Sequence, residues 1–195
     1  MQTSTDIRQR VIAVDAARRT QLLRHLIAQS GWPRVLVFVA TKHAAEIVAD
    51  KLRKTGFSAE PWHSQLNPGK RTQVLLDFKA ERLRVVVATE AAVRGLTLPP
   101  LPVLLNYDLP RSALDYNYCL DCVAPNGCVL NFVSADTEAH FCLIEKRQRL
   151  SLPREQIAGF EPVLATSTAA PSTRGIKGKR PNKKSKLRAT ANPEL

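Results

Sequence analysis

Features typical of membrane and secreted proteins are missing from this chain of 195 residues. No apolar run approaches the ~20 residues that a membrane-spanning helix needs. The first residues lack the apolar core of a signal peptide. We therefore expect a protein that stays in the cytoplasm and has no membrane partner. Only four cysteines occur, and in a cytoplasmic chain we expect them to be free thiols rather than disulfides.

The chain also lacks the segment with which many nucleotide-hydrolysing enzymes hold phosphates. No GxxxxGK[ST] sequence occurs, the loop whose backbone amides surround the phosphate oxygens and whose hydroxyl binds Mg²⁺. The sequence therefore predicts no cofactor, and ATP only through residual binding or together with a separate partner domain.

Acidic residues are almost absent from the last part of the chain, and this divides it into two regions. Residues 163–195 hold eight Lys and Arg against one acid, within a net charge of +12. This segment cannot bury enough apolar surface to order itself, so we expect a disordered basic tail after a globular domain of residues 1–162. Clustered cations favour polyanions, because neutralised phosphates release counterions; a solubilising tail is the alternative. The tail residues expected to contact nucleic acid are Lys177, Lys179, Arg180, Lys183, Lys184, Lys186 and Arg188.

Short apolar strands alternate with amphipathic helices along the predicted globular domain. The predicted strands cover residues 34–39, 58–62, 84–88, 102–107 and 127–133. Helices lie between them, with Asp15, Thr41 and Asn67 as predicted N-caps. Strands that are apolar throughout and separated by helices indicate a parallel sheet covered on both faces. The sequence therefore predicts an α/β fold with a doubly wound parallel sheet, whose ligands lie beyond the carboxyl ends of the strands.

Three segments in order carry a resemblance to a known family. Residues 84–96 read RVVVATEAAVRGL, and NYDLP follows at residues 106–110. This stretch resembles the ATD-x-A-x-RGLD segment of DEAD-box RNA helicases and the turn that follows it. Residues 35–42 are similar to the family's motif IV region, and residues 63–79 resemble its HGxxxQxxRxxxLxxFK segment. Residues 5–162 thus resemble the second, C-terminal RecA-like domain of a DEAD-box helicase.

The resemblance implies that the domain grips the sugar-phosphate backbone of one RNA strand. Hydroxyls, amides and guanidinium groups can form hydrogen bonds with phosphates without contacting the bases. Each residue also has a structural alternative: Thr41 caps a helix, Thr89 ends a strand, and Arg71 lies on a solvated face. His63 is interpreted as structural. The residues carried over for RNA binding are Thr41, Arg71, Thr89, Arg94 and Gly95.

The chain departs from the family at the groups that face the nucleotide. Where the family has the arginine-rich HRxGRxGR segment, the arginine positions are Cys119, Cys122 and Pro125. Thr97 stands at the position of the RGLD aspartate, and Glu90 stands at the position of the Asp in the family's ATD sequence. The Asp-Glu-Ala-Asp of the first domain does not occur. Because an arginine finger is worth about 10³–10⁵ in rate, we predict that the chain alone neither hydrolyses ATP nor unwinds RNA.

The cysteines form a cluster that raises a metal hypothesis. Cys119, Cys122, Cys128 and Cys142 contain one closely spaced pair, whereas structural zinc usually takes ligands from two such pairs. The favoured interpretation is no metal, with small thiols filling space as buried apolar groups.

The leading functional hypothesis is an RNA-binding, catalytically silent helicase-like domain with sequence-tolerant RNA recognition. A second is a protein-interaction module that docks on a helicase or ribonucleoprotein component. Half of a split helicase and a gene remnant without a selected role remain further alternatives.

Overall fold

The computed structural model describes residues 7–163. The strands are β1 (Arg8–Ala13), β2 (Val35–Val39), β3 (Ala59–Trp62), β4 (Val85–Thr89), β5 (Leu101–Asn106), β6 (Val123–Val133) and β7 (Arg154–Glu155). The helices are α1 (Arg19–Gln29), α2 (Lys42–Arg53), α3 (Pro68–Lys79), α4 (Glu90–Val93), α5 (Ala113–Asp121) and α6 (Glu138–Gln148). No helix within these residues is long and apolar enough to cross a membrane.

The seven strands form one parallel sheet in the order β3-β4-β2-β5-β6-β1-β7. Alternate residues of β2 enter two different cores. Val35 and Val37 pack with α1 and α2, whereas Leu36 and Phe38 pack with α3 and α5. Helices therefore cover both faces, which confirms the predicted doubly wound α/β fold.

Local sequence explains where the central helices begin. The hydroxyl of Thr41 accepts a hydrogen bond from the Ala44 amide at 3.1 Å, and the Asn67 side chain accepts one from Gly69 at 2.8 Å. Pro68 supplies the first residue of α3, where its missing N–H costs no hydrogen bond. Both predicted N-caps are confirmed.

The first helix begins differently from the prediction. Asp15 makes no side-chain cap; a short 3₁₀ turn at Ala16–Arg18 precedes α1, which begins at Arg19. The Asp15 carboxylate instead accepts the Val163 amide at 3.1 Å, so it holds the last described residue against the end of β1. The prediction was wrong because it considered only local capping, not this contact between residues far apart in the chain.

Strands β1 and β7 were absent from the prediction. Charged and apolar residues are mixed in β1, which lies between β6 and β7. The Arg10 guanidinium donates to both carboxylate oxygens of Glu155, with an Nη2–Oε2 distance of 2.5 Å. This ion pair joins β1 to β7, which lies at the edge of the sheet, so the edge is held partly by charge. The predicted disordered basic tail lies outside the described residues.

Candidate functional site

Because all strands run in one direction, their carboxyl ends meet at a single edge of the sheet. Thr41 follows β2, and Thr89 is the last residue of β4, paired with Val39 of β2. His63 follows β3, whose Trp62 pairs with Ala88. This edge, which we call the carboxyl edge, therefore gathers side chains from segments far apart in sequence, as open α/β sheets do at their ligand sites.

Arg71 lies on α3 and is held against an aromatic ring. Its guanidinium carbon is 5.6 Å from the centroid of the Trp62 ring, and the Trp62 indole donates to the Ala92 carbonyl at 3.4 Å. The Arg71 Nε atom is buried and has no hydrogen-bond partner among residues 7–163. Arg71 is thus partly enclosed rather than on a freely solvated face, and the stacking orients its remaining donors.

His63 is almost fully buried, as the structural interpretation anticipated. Its Nε2 lies 2.8 Å from a carboxylate oxygen of Glu46 on α2. The other ring nitrogen has no partner within the described residues. The ring therefore connects the end of β3 to α2 beneath the carboxyl edge.

Arg94 is engaged by two carboxylates and a ring. Its guanidinium donates to Glu90, to Asp115 at 2.7 Å, and lies 5.0 Å from the centroid of the Tyr118 ring. Burial raises the pKa of Glu90, against the hydrogen bond from Arg94. Burial also opposes ionisation of Asp115, but hydrogen bonds from Ser112 and Arg94 outweigh it and hold that pKa below its usual value. The charge of Arg94 is therefore offset within the domain.

Gly95 follows directly and has a φ of 86°. This left-handed conformation favours glycine, and a Cβ built there meets no atom within 4 Å. The backbone beside Gly95 is therefore open, which suits the close approach of a ligand.

A cleft of about 420 Å³ lies at the carboxyl edge, between the ends of β2, β4 and β5 and the start of α5. It brings together Thr89 and Arg94, while Thr41, Arg71 and Gly95 are not part of its lining. Two guanidinium groups and three carboxylates line it, so the cleft has no cationic excess. Its charged lining residues are Glu90, Arg94, Asp108, Arg111 and Asp115.

Sequence reasoning missed Arg19, which joins three strand ends at the same edge. Its side chain is buried and donates to Asp108 at 3.0 Å and to the Ser134 hydroxyl at 2.6 Å. The second carboxylate oxygen of Asp108 accepts the Ala40 amide at 2.8 Å. Nothing in the local sequence marks Arg19, because its partners come from the ends of β5 and β6.

The segment that replaces the arginine-rich motif is tightly packed. Cys119 is fully buried, and its thiol lies 3.4 Å from the Asn106 side-chain oxygen and 3.3 Å from the Asp115 carbonyl, either of which can accept its one hydrogen. Burial raises the pKa of Cys119 and of Cys122, so both thiols stay neutral. The Cys119 position therefore belongs to the core and not to the surface of the cleft.

The turn after these cysteines is also closely packed. Asn126 has a left-handed φ of 63°. A Cβ at Gly127 would lie 2.4 Å from the Val123 side chain and 3.0 Å from the Pro102 carbonyl. Only glycine fits there without a shift of the backbone. Pro125, at the third arginine position of the family motif, lies exposed in this part of β6.

The four cysteines are free thiols. Within residues 7–163, no group of three or more His, Cys, Asp or Glu side chains is arranged to hold a metal ion. The zinc hypothesis for Cys119, Cys122, Cys128 and Cys142 therefore gains no geometric support.

Comparisons with known proteins agree with the fold. Residues 18–123 match the family model "Helicase conserved C-terminal domain". The chain is 27% identical over 176 residues to an ATP-dependent rRNA helicase rrp3 of Emericella nidulans, covering 89% of this chain and 38% of that protein. It is 34% identical over 113 residues to the ATP-dependent RNA helicase RhlB of Pseudomonas aeruginosa, covering 58% of this chain and 28% of RhlB. The chain thus spans about a third of the length of these relatives.

Among solved structures, the chain is similar to the E. coli DEAD-box protein SrmB bound to regulator of ribonuclease activity A. The TM-score is 0.69 at 25% sequence identity, and the match covers 77% of this chain and 89% of the other.

Proposed function

The chain belongs to the helicase conserved C-terminal domain family, as a second RecA-like domain of the DEAD-box type, and from that premise we propose that it binds RNA through the sugar-phosphate backbone without hydrolysing ATP. The relatives named as RNA helicases support RNA as the ligand. Contacts to phosphates and sugars position a strand and carry no sequence information directly, so binding is expected to be sequence-tolerant.

The observation that carries catalytic silence is the burial of a neutral thiol at position 119. An arginine finger must place a fixed positive charge against the phosphate that is being transferred. Cys119 supplies no charge and does not reach the cleft. Of the two arginines that line the cleft, Arg94 is offset by Glu90 and Asp115. Arg111 is exposed and has no ion pair among the described residues.

The RNA contacts are proposed at the carboxyl edge. Arg71 offers the terminal nitrogens of a guanidinium that lies against the Trp62 ring, Gly95 an open backbone, and Thr89 a hydroxyl at the cleft. The Thr41 hydroxyl already caps α2. At this position we therefore propose that the RNA contacts are made by backbone amides at the start of α2 and not by the hydroxyl. We place Arg94 in a supporting role, because its donors already face two carboxylates.

The proposed basic tail adds non-specific affinity. Seven tail cations neutralise phosphates and release counterions, which makes binding weaken steeply with salt. The tail residues to be tested are Lys177, Lys179, Arg180, Lys183, Lys184, Lys186 and Arg188.

The test is RNA binding by the full-length protein across a range of salt concentrations. A variant with these seven of the eight tail cations changed to Gln should show a flatter salt dependence, whereas Arg71→Ala should weaken binding while leaving most of the slope. An unchanged slope after loss of the tail charges would contradict the role of the tail. ATP turnover is measured in parallel; turnover above background that Arg94→Ala or Arg111→Ala abolishes would overturn catalytic silence.

A second candidate function is docking on a protein partner. Leu114 on α5 and Leu143 on α6 are 77% and 58% exposed, and the structurally similar SrmB is described in complex with a protein. Capture of partners with and without ribonuclease separates the two functions. A specific partner that survives ribonuclease and is lost in Leu114→Ser favours protein docking, and loss of all partners with ribonuclease favours RNA.

A further inference from the structure

A second cleft, of about 400 Å³, lies against α1 and the turn between α2 and β3. None of its lining residues belongs to the carboxyl-edge cleft. It is an open depression of the surface rather than an enclosed cavity. Its lining combines aromatic rings, one guanidinium, an imidazole and uncharged hydrogen-bonding groups, and contains no carboxylate. The lining residues are Gln21, Arg24, His25, Ala28, Thr55, Phe57 and Phe160.

The Phe160 ring is held in place by contacts on several sides. A turn with Gly159 at a φ of 82° precedes it, and its amide donates to the Ile157 carbonyl at 2.8 Å. The Arg18 guanidinium lies 5.1 Å from the ring centroid and donates to the Gly159 carbonyl. The His25 ring centroid is 5.1 Å away, at an interplanar angle of 48°. The ring is therefore fixed at the cleft before any ligand arrives.

Phe57 is fixed in a similar way. The Arg84 guanidinium lies 6.0 Å from its ring centroid. Arg84 itself donates to the carbonyls of Ile27 and Trp32, each at 2.8 Å, so its position is set by the end of α1. Both phenyl rings of the cleft thus have a cation beside them, and both remain half-buried.

The polar groups of the cleft define the ligand. Arg24 is exposed and has no ion pair or hydrogen bond within the described part of the chain, so its charge is available to an anion. The amide of Gln21 can donate or accept. The hydroxyl of Thr55 donates to the Leu52 carbonyl at 2.9 Å, so towards a ligand it can only accept. Flat rings, hydrogen-bonding groups and one free cation suit a ligand with a planar heterocycle and a phosphate. Bases stack on aromatic side chains in single-stranded nucleic-acid binding.

We propose that this cleft is a nucleotide site, in which a base stacks on Phe160 and Phe57 and its phosphate meets Arg24. The base comes either from a single-stranded RNA or from a free mononucleotide. The RNA source rests on the proposed RNA-binding function, and the mononucleotide source does not. Stacking at this cleft adds a base contact to a protein whose carboxyl edge addresses only the backbone.

The test uses the full-length protein with Phe160→Leu, which keeps apolar packing and removes the aromatic ring, and Phe160→Trp, which keeps a ring. The probe is an adenosine oligomer of about ten nucleotides, within the span that single-strand-binding folds cover. Phe160→Leu should weaken binding at least about fivefold, the lower end of a base–aromatic stack, and Phe160→Trp should retain it. Thermal unfolding checks that both variants fold.

Two controls separate stacking from general charge and packing. An abasic ribose-phosphate oligomer of the same length should bind the parent and Phe160→Leu equally, because it has no base to stack. Arg24→Ala should weaken binding of the adenosine oligomer more than Arg147→Ala, which removes an exposed arginine on α6. Equal losses for the abasic and the adenosine oligomers in Phe160→Leu would overturn the proposal.

Nuclear magnetic resonance titration with AMP tests the same cleft without RNA. Shifts confined to the lining residues, and lost in Phe160→Leu, support the site even if the protein binds no RNA, in which case the proposed function alone fails. RNA binding that is unaffected by Phe160→Leu, together with no AMP shifts at the cleft, overturns this inference and leaves the proposed function intact.

Discussion

Replacing Cys119 by arginine tests whether the domain is closed around the position that resembles an arginine of the family motif. Cys119 is fully buried between α5 and the sheet, and its thiol contacts Asn106 and the Asp115 carbonyl. Arginine adds several heavy atoms and a permanent charge. If the site is closed, Cys119→Arg must either overpack the core or expel α5 from its place.

The expected cost follows from two known penalties. Overpacking a well-packed core costs typically 1–3 kcal/mol, and an unpaired buried charge costs about 3–5 kcal/mol. The two overlap, because a side chain that escapes the core keeps its hydration but displaces the helix. We expect Cys119→Arg to lower the free energy of unfolding by about 3–5 kcal/mol, a large share of the roughly 5–15 kcal/mol of an ordinary domain.

The measurement is urea unfolding of the full-length protein, with Cys119→Ser and Cys119→Val as controls. Ser places a hydroxyl in the same space and tests polarity, whereas Val tests volume without charge. Both controls should cost no more than about 1–2 kcal/mol, because each changes only polarity or a small volume. A Cys119→Arg variant within about 1 kcal/mol of the parent would refute the reasoning, since it would mean that an arginine still fits.

Two further predictions concern the packing of the domain. Arg84→Ala should lower the free energy of unfolding by about 2–4 kcal/mol in urea unfolding, because hydrogen bonds from Arg84 satisfy the Ile27, Ser30 and Trp32 carbonyls; a loss below about 0.5 kcal/mol would mean that water replaces it without cost. Arg154 lowers the pKa of Glu145 chiefly through its hydrogen bond, so the stabilisation is present above the unfolded pKa and is lost as the pH falls through the lower folded value. The stability deficit of Arg154→Gln should therefore be larger at neutral pH than in strong acid, and a deficit independent of pH would contradict this assignment.

Much of the fold could be predicted because its signals are local. Val35–Val39 and Val85–Thr89 are apolar throughout, and Thr41 and Asn67 mark the helix starts with side chains that reach only a few residues ahead. The paired strands β2 and β4 then place Thr41 and Thr89 at one edge. Capping and periodicity need no knowledge of the rest of the chain, and they were sufficient for these central elements.

The missed features depend on partners that are distant in sequence. Strand β1 pairs with β6 and β7, the last two strands along the chain. Its charged residues obscure the alternation of apolar and polar residues that would mark a strand. Arg19 donates hydrogen bonds to Asp108 and Ser134, and Arg94 donates one to Asp115. A resemblance can assign Arg94 to a ligand, but only coordinates show that two carboxylates already engage its charge.

An arginine at a more accessible position tests whether one added charge is sufficient for catalysis. Cys122 directly follows α5 as its C-cap and is partly exposed, so Cys122→Arg should fold more readily than Cys119→Arg. ATP turnover should nevertheless stay at background, because an arginine finger accelerates transfer only of a phosphate that other groups hold together with Mg²⁺. No GxxxxGK[ST] loop supplies those groups, and Thr97 stands at the family's RGLD aspartate. Turnover by purified Cys122→Arg that its Cys122→Lys counterpart lacks would show instead that the domain retains a nucleotide site needing only this guanidinium.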